Sequence, residues 1–373
     1  MKLLSIIFFA FVLRSTASTI PGLEAAKSKG CPGNTAQTRR EWCDYNINTD
    51  YTSFAPNTGV TREYWFSIDE VTVSPDGVSR PAMAVNGTIP GPTIYADWGD
   101  EVVVHVTNHL NESKNGTSIH WHGIRQNYTN QNDGVVSITQ CPTAPGSTMT
   151  YKWRAVQYGT TWWHSHIGLQ AWEGVFGGII INGPASSNYH VDKGVLFLND
   201  WSHRTADELF TYAQVKGPPT LDTGLINGTN VYNSTGSRFT MRVKERESYR
   251  LRLINAAIDT HWKFMIDNHT LTVIVMDLVP IQPYTTKFIN IGMGKPINFQ
   301  APKPDLTLSS RSAVRRDSHS RPGFLGQRLL DPRCATDSML REQQRRQHQR
   351  NPPLRFSDKN TPNKRDQFCR QLR

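Results

Sequence analysis

Between residues 60 and 300, apolar side chains recur mostly at every second position, in short runs broken by Gly, Pro, Asn and Asp. Side chains alternate faces along a strand but recur every 3.6 residues on a helix, so this pattern favours strands over sustained helices. Tyr64, Phe66 and Ile68 alternate with polar neighbours, and Glu101 to Val106 and Phe176 to Ile181 read as further strands. Tyr249, Leu251 and Leu253 alternate with Arg250 and Arg252, which predicts a half-exposed antiparallel strand. Many short strands with turn signals between them predict an all-β chain of Greek-key sandwiches or barrels.

Asn182-Gly183-Pro184, followed by Ala185-Ser186-Ser187-Asn188, is the strongest boundary signal. It divides a domain over 60–185 from a second over 190–294 that opens with the apolar strand Gly194 to Leu198. Ahead of them, Lys2, an apolar run from Leu3 to Leu13 and the small residues Ser15 to Ser18 predict a secretory signal peptide over 1–18, then an arm over 19–59. That run falls short of the roughly 20 apolar residues a membrane span needs, and no later segment reaches that length.

Seven glycosylation sequons, at Asn86, Asn111, Asn115, Asn127, Asn227, Asn233 and Asn268, point the same way, because glycans are attached in the secretory lumen. There, Cys31 and Cys43 are expected to pair across a short loop, worth about 3 kcal/mol by chain entropy. Cys141, Cys334 and Cys369 have no spacing that selects a partner.

The formal net charge of +10 invites a polyanion-binding reading, but position removes it. Residues 295–373 hold four Lys and 14 Arg against six Asp and one Glu, and the remaining 294 residues are nearly neutral. All ten Trp and all 12 Tyr precede residue 295, as does every sequon. Rich in Pro, Arg, Gln and Ser, the stretch 295–373 is expected to be a disordered basic tail, because it buries too little apolar area to offset its ordering entropy. No nucleic-acid or membrane partner is expected.

Two His-x-His pairs carry the chemistry: His120-Trp121-His122-Gly123 and His164-Ser165-His166. On a strand, residues i and i+2 face one side, so each pair presents two imidazoles together. Pairs on neighbouring strands would converge four imidazoles, a transition-metal site that suits copper, with zinc or iron as competitors. Histidines 105, 109, 190, 203, 261 and 269 are isolated and read as structural.

The run Gly116-Thr117-Ser118-Ile119-His120-Trp121-His122-Gly123, then Asp133-Gly134 leading to Thr139-Gln140-Cys141-Pro142, then Tyr158-Gly159-Thr160-Thr161-Trp162-Trp163-His164-Ser165-His166, resembles the first cupredoxin domain of a fungal laccase. Similarity to this multicopper oxidase family extends over roughly residues 31–294, including Leu225-Ile226-Asn227-Gly228-Thr229 and Arg250-Leu251-Arg252-Leu253-Ile254-Asn255. The resemblance implies cupredoxin-like Greek-key domains and a copper cofactor. It implies that His120 is a ligand of the type 2 copper, and His122, His164 and His166 are ligands of the type 3 pair. It also assigns proton supply to Asp133, contact with a phenolic substrate's hydroxyl to Asp259, and walls of the site to Trp121 and Trp163, for which core packing is an equal reading. The implied reaction is one-electron oxidation of phenols or related aromatics coupled to four-electron reduction of dioxygen to water, by a secreted monomer.

The sequence departs from the family after Gly294. The third cupredoxin domain, with its His-Cys-His run and type 1 copper site, has no counterpart, and the second domain is expected to stop short of its last strands and leave a raw edge. Cys141 is then expected to be an unpaired thiol. On that basis the chain as given is expected to be inactive as a laccase. The alternatives are a non-catalytic, secreted copper-binding glycoprotein and a relative of the ferroxidases or ascorbate oxidases.

Overall fold

The computed structural model describes residues 31–301; the expected signal peptide and most of the basic tail lie outside them. The disulfide between Cys31 and Cys43 is formed, and Cys141 is a free, exposed thiol. No helix among the described residues is long and apolar enough to cross a membrane.

Residues 61–182 build a sandwich of two four-stranded sheets. One sheet runs in the order Arg80–Val85, Thr61–Val73, Glu101–Asn108, Thr148–Arg154, and the other Gly91–Asp97, Phe176–Asn182, Gly159–Ser165, Ile119–Trp121. The alternation read in the sequence is the alternation of faces: Val102, Val104 and Val106 are buried, while Glu101, Val103, His105 and Thr107 face outward. Four tryptophans, Trp98, Trp121, Trp153 and Trp163, fill the space between the sheets.

The following residues build a six-stranded sheet in the order Thr223–Ile226, Val191–Trp201, Tyr249–Asn255, Pro296–Ala301, Leu271–Met276, Val279–Thr286, with Trp262–Phe264 and Ile289–Ile291 paired beside it. Two expectations are corrected here. Pro296–Ala301, assigned to the tail, is an interior strand paired with Tyr249–Asn255 on one side and Leu271–Met276 on the other, so the sheet continues past Gly294. Tyr249–Asn255 is buried along its whole length, not half-exposed. Its arginines are buried because they find partners there: Arg250 donates to the Tyr189 hydroxyl, and Arg252 holds the Asp192 carboxylate with Nε and Nη2.

The second sandwich is fastened to the back of the first. Arg252 Nη1 donates to the Thr160 hydroxyl at 2.6 Å and the Gly159 carbonyl at 3.3 Å, and the Thr160 hydroxyl donates to Asn298 Oδ1 at 2.7 Å. Leu278, from the turn between two second-sandwich strands, is inserted into the core of the first; a buried leucine contributes about 1.5–3 kcal/mol. Arg80 and Glu173 form a buried ion pair, with the Arg80 guanidinium 3.8 Å from the Trp201 ring. The other Glu173 oxygen accepts from the backbone N–H groups of Ala206 and Asp207, at the N-terminus of the helix Ala206–Lys216. That is where a negative charge is favoured.

Removing Glu173 leaves a buried, unpaired guanidinium and strips two donors of their acceptor. Glu173→Ala should lower unfolding free energy by about 3–5 kcal/mol in urea titrations, and Glu173→Gln, which keeps an acceptor, should lose less. A loss below about 1 kcal/mol in the alanine variant would show that the pair does not fasten the domains.

Candidate metal centre

The edge strand Ile119–Trp121 pairs antiparallel with Gly159–Ser165 in a register that sets His120 opposite His164 and Trp121 opposite Trp163. Alternation then turns the tryptophans into the core and the imidazoles outward. His120, His122 and His164 each offer a ring nitrogen within 4.8 Å of the others, the spacing of groups that can hold a metal ion. His166 lies on the exposed side of this cluster, its ring centroid 5.4 Å from that of His120 and 6.1 Å from that of His164.

Two rings are oriented by backbone carbonyls. His120 Nδ1 lies 2.8 Å from the Asp133 carbonyl oxygen and His164 Nδ1 lies 3.0 Å from that of Ser165. A carbonyl only accepts, so in both rings Nδ1 carries the proton and Nε2 keeps its lone pair for a ligand. Burial pushes the His122 pKa down to about 4 and that of His164 to about 3, neighbouring imidazoles adding to the effect. Both rings are therefore neutral at pH 7, as metal ligation requires. An all-nitrogen, partly buried donor set of this kind fits copper.

Asp133 reaches the cluster through a tight turn. Gly134 has φ of 77°, and a Cβ there would sit 1.8 Å from the Ile119 carbonyl oxygen, so only glycine lets this turn pack against the ligand strand. The same turn brings the Asp133 carboxylate to 3.3 Å from His120 Nδ1. Asp259 lies elsewhere, exposed beside an apolar cavity of about 300 Å³ lined by Trp172, Trp201, Leu209, Phe210 and Pro219 among others.

The structure also changes which aromatic ring walls the cluster. Trp121 and Trp163 point into the core, donating to the carbonyls of Asn132 and Pro92. The wall is Trp162, with its ring centroid 4.2 Å from that of His164 and 5.5 Å from that of His122. It shares a strand face with His164 two residues on, a same-face relation legible in the sequence. Gly294, from the second sandwich, also approaches His122: a Cβ there would lie 3.5 Å from His122 Cε1.

Two multicopper oxidase family models match the chain, one over residues 67–186 and the other over 192–301. Laccase-2 of Botryotinia fuckeliana is 49% identical over 302 residues, covering 77% of this chain and 52% of that protein. The laccase of Neurospora crassa is 44% identical over 273 residues, covering 71% and 44%. Among solved structures, the laccase from Botrytis aclada superposes with a TM-score of 0.70 at 50% identity, over 72% of this chain and 51% of that one. Fet3p, a multicopper oxidase that functions in iron import, does so with 0.60 at 29% identity, over 65% and 46%. The chain spans about half the length of the curated relatives it matches.

The lowered pKa values of His122 and His164 make the copper-free protein acid-sensitive. Above the unfolded-state value of about 6.5 the two rings have no effect on stability; below it the unfolded chain binds protons first, so stability falls as pH drops toward 4. Denaturant unfolding of copper-free protein between pH 7 and pH 4 should show this decline, and His164→Gln should flatten it. An unaltered profile in that variant would mean that His164 is not buried neutral.

Proposed function

The chain belongs to the multicopper oxidase family, and from that premise we propose that it supplies the first two cupredoxin domains of a laccase-type oxidase. The proposed reaction is one-electron oxidation of phenolic or related aromatic compounds, coupled to reduction of dioxygen to water. The observation that carries this reading is the convergence of His120, His122 and His164, from two His-x-His pairs of paired strands, with His166 beside them. Identity of 41–50% to laccases, against 29% to Fet3p, favours a laccase over a relative that functions in iron import. The same reading makes the protein a secreted monomer whose partners are phenols and dioxygen, with no nucleic acid or membrane among them.

His120 would hold a type 2 copper, and His122, His164 and His166 a type 3 pair. Copper bound there supplies single-electron transfer and the reduction of dioxygen. The chain's own residues prepare the site. The Asp133 and Ser165 carbonyls aim the Nε2 atoms of His120 and His164, burial keeps His122 and His164 unprotonated, and Trp162 covers one side. The Asp133 carboxylate, beside His120 Nδ1, can hold a proton next to the cluster. The apolar cavity of about 300 Å³, lined by residues of both sandwiches, would receive an aromatic ring, and Asp259 at its edge would accept a hydrogen bond from a phenolic hydroxyl.

The full chain loaded with copper should retain it with Kd at or below about 1 µM, and electron paramagnetic resonance should show nitrogen ligation. His120→Ala with His164→Ala should abolish retention; unchanged retention would sink the assignment. This sequence contains no His-Cys-His run, so the loaded chain should show neither the blue absorption of a copper–thiolate centre nor laccase turnover.

The substrate reading is checked separately by titrating a methoxyphenol against the chain and following tryptophan fluorescence, since Trp172 and Trp201 line the cavity. A hydrogen bond to a charged group is worth about 1.5–3 kcal/mol, so Asp259→Ala should weaken binding about tenfold or more. Equal affinity in that variant would remove Asp259 from the substrate site.

A further inference from the structure

The seven sequons fall into two structural classes. At Asn86 the side-chain amide is built into a strand edge: Oδ1 accepts from the Ser67 backbone N–H at 2.7 Å and Nδ2 donates to the Trp65 carbonyl at 2.9 Å. Asn227, in the second sandwich, repeats the arrangement. Its Oδ1 accepts from the Phe197 N–H at 2.7 Å and its Nδ2 donates to the Val195 carbonyl at 3.2 Å. In both places the partners are residues i and i+2 of one strand. Each Asn opens an Asn-Gly-Thr turn with positive φ, 51° at Asn86 and 47° at Asn227, and each turn is closed by a bridge, Val85 to Thr88 and Ile226 to Thr229. Asn111, Asn115, Asn127, Asn233 and Asn268 are instead exposed side chains in turns and loops.

A glycan is attached through Nδ2. An amide that presents its oxygen and an N–H to one strand edge uses the hydrogen on the same side as that oxygen. A substituted amide is planar and trans, which puts the sugar carbon in that hydrogen's place. Attachment at Asn86 or Asn227 would therefore abolish the bond to Trp65 or Val195 and drive a sugar ring against the strand. Transfer occurs on the unfolded chain, so the discrimination acts through folding.

We infer that Asn86 and Asn227 are structural pegs that stay unmodified in the folded protein, and that glycans are carried only by the exposed sequons at Asn111, Asn115, Asn127, Asn233 and Asn268. The inference rests on the secretory reading, and the experiment separates the two. Expression of the full chain behind a host secretory leader delivers it to the lumen whatever its own N-terminus does; secretion from the native N-terminus is assayed in parallel and tests the secretory reading alone. The folded, secreted fraction is enzymatically deglycosylated in oxygen-18 water and its sites mapped by mass spectrometry. Label is expected at one or more exposed sequons and at neither Asn86 nor Asn227. Label at either peg, or no label anywhere, overturns the inference. Thr88→Ala with Thr229→Ala destroys both sequons but leaves both amides in place, and should leave the glycan mass unchanged; a loss of glycan mass also overturns it. Asn86→Asp, which replaces the donor by an oxygen facing the Trp65 carbonyl, should lower the melting temperature without changing the glycan mass. An unchanged melting temperature would remove the structural role.

Discussion

The antiparallel register that sets His120 against His164 and Trp121 against Trp163 is the constraint on which the site depends. Side chains on a strand have period two, so a slip of one residue would turn the imidazoles into the core and the tryptophans into solvent. Trp121 and Trp163 are both fully buried, and burying side chains of that size contributes several kcal/mol in total, on the order of 1.5–3 for each large apolar group. Packing in the first sandwich thus fixes where the imidazoles lie.

The second sandwich acts on the same strand from behind. Arg252 and Asn298 grip Gly159 and Thr160, at the start of the strand that ends in His164 and Ser165. Leu278 enters the first core, and the loop carrying Gly294 runs beside His122. These contacts explain why so much polar material is buried at the junction. A buried ion pair adds little net stability against an apolar replacement, but its directional bonds define one relative placement of the groups it joins. For a ligand strand, placement is the property that matters.

Strand content and the approach of His120 to His164 were legible because both rest on period two, which survives in any context. What stayed hidden depends on partners distant in sequence. Arg250 and Arg252 read as solvent-facing because nothing local reveals Asp192, Tyr189 or the Gly159 carbonyl. Pro296–Ala301 was masked by the basic residues that follow it, although Ile297 and Phe299 already alternate. Two features were legible and passed over. Trp162 stands two residues before His164, and Thr205 to Glu208 is a capping box that opens the helix Ala206–Lys216 inside an otherwise period-two chain.

Asp133 and Gly134 form a single turn against the ligand strand. The turn exists because Gly134 can approach the Ile119 carbonyl with positive φ, and that approach places both the Asp133 carbonyl and its carboxylate at the same nitrogen of His120. A ring whose Nδ1–H is held by a backbone carbonyl is confined to one orientation and keeps the Nε2 lone pair free for a ligand. Replacing Asp133 by Asn would keep the turn and the carbonyl but remove the charge. Replacing Gly134 would instead move the turn itself and release the ring. The carbonyl's hold on His120 therefore depends on the glycine that lets the turn approach, while the carboxylate is a separate group carried by the same two-residue segment.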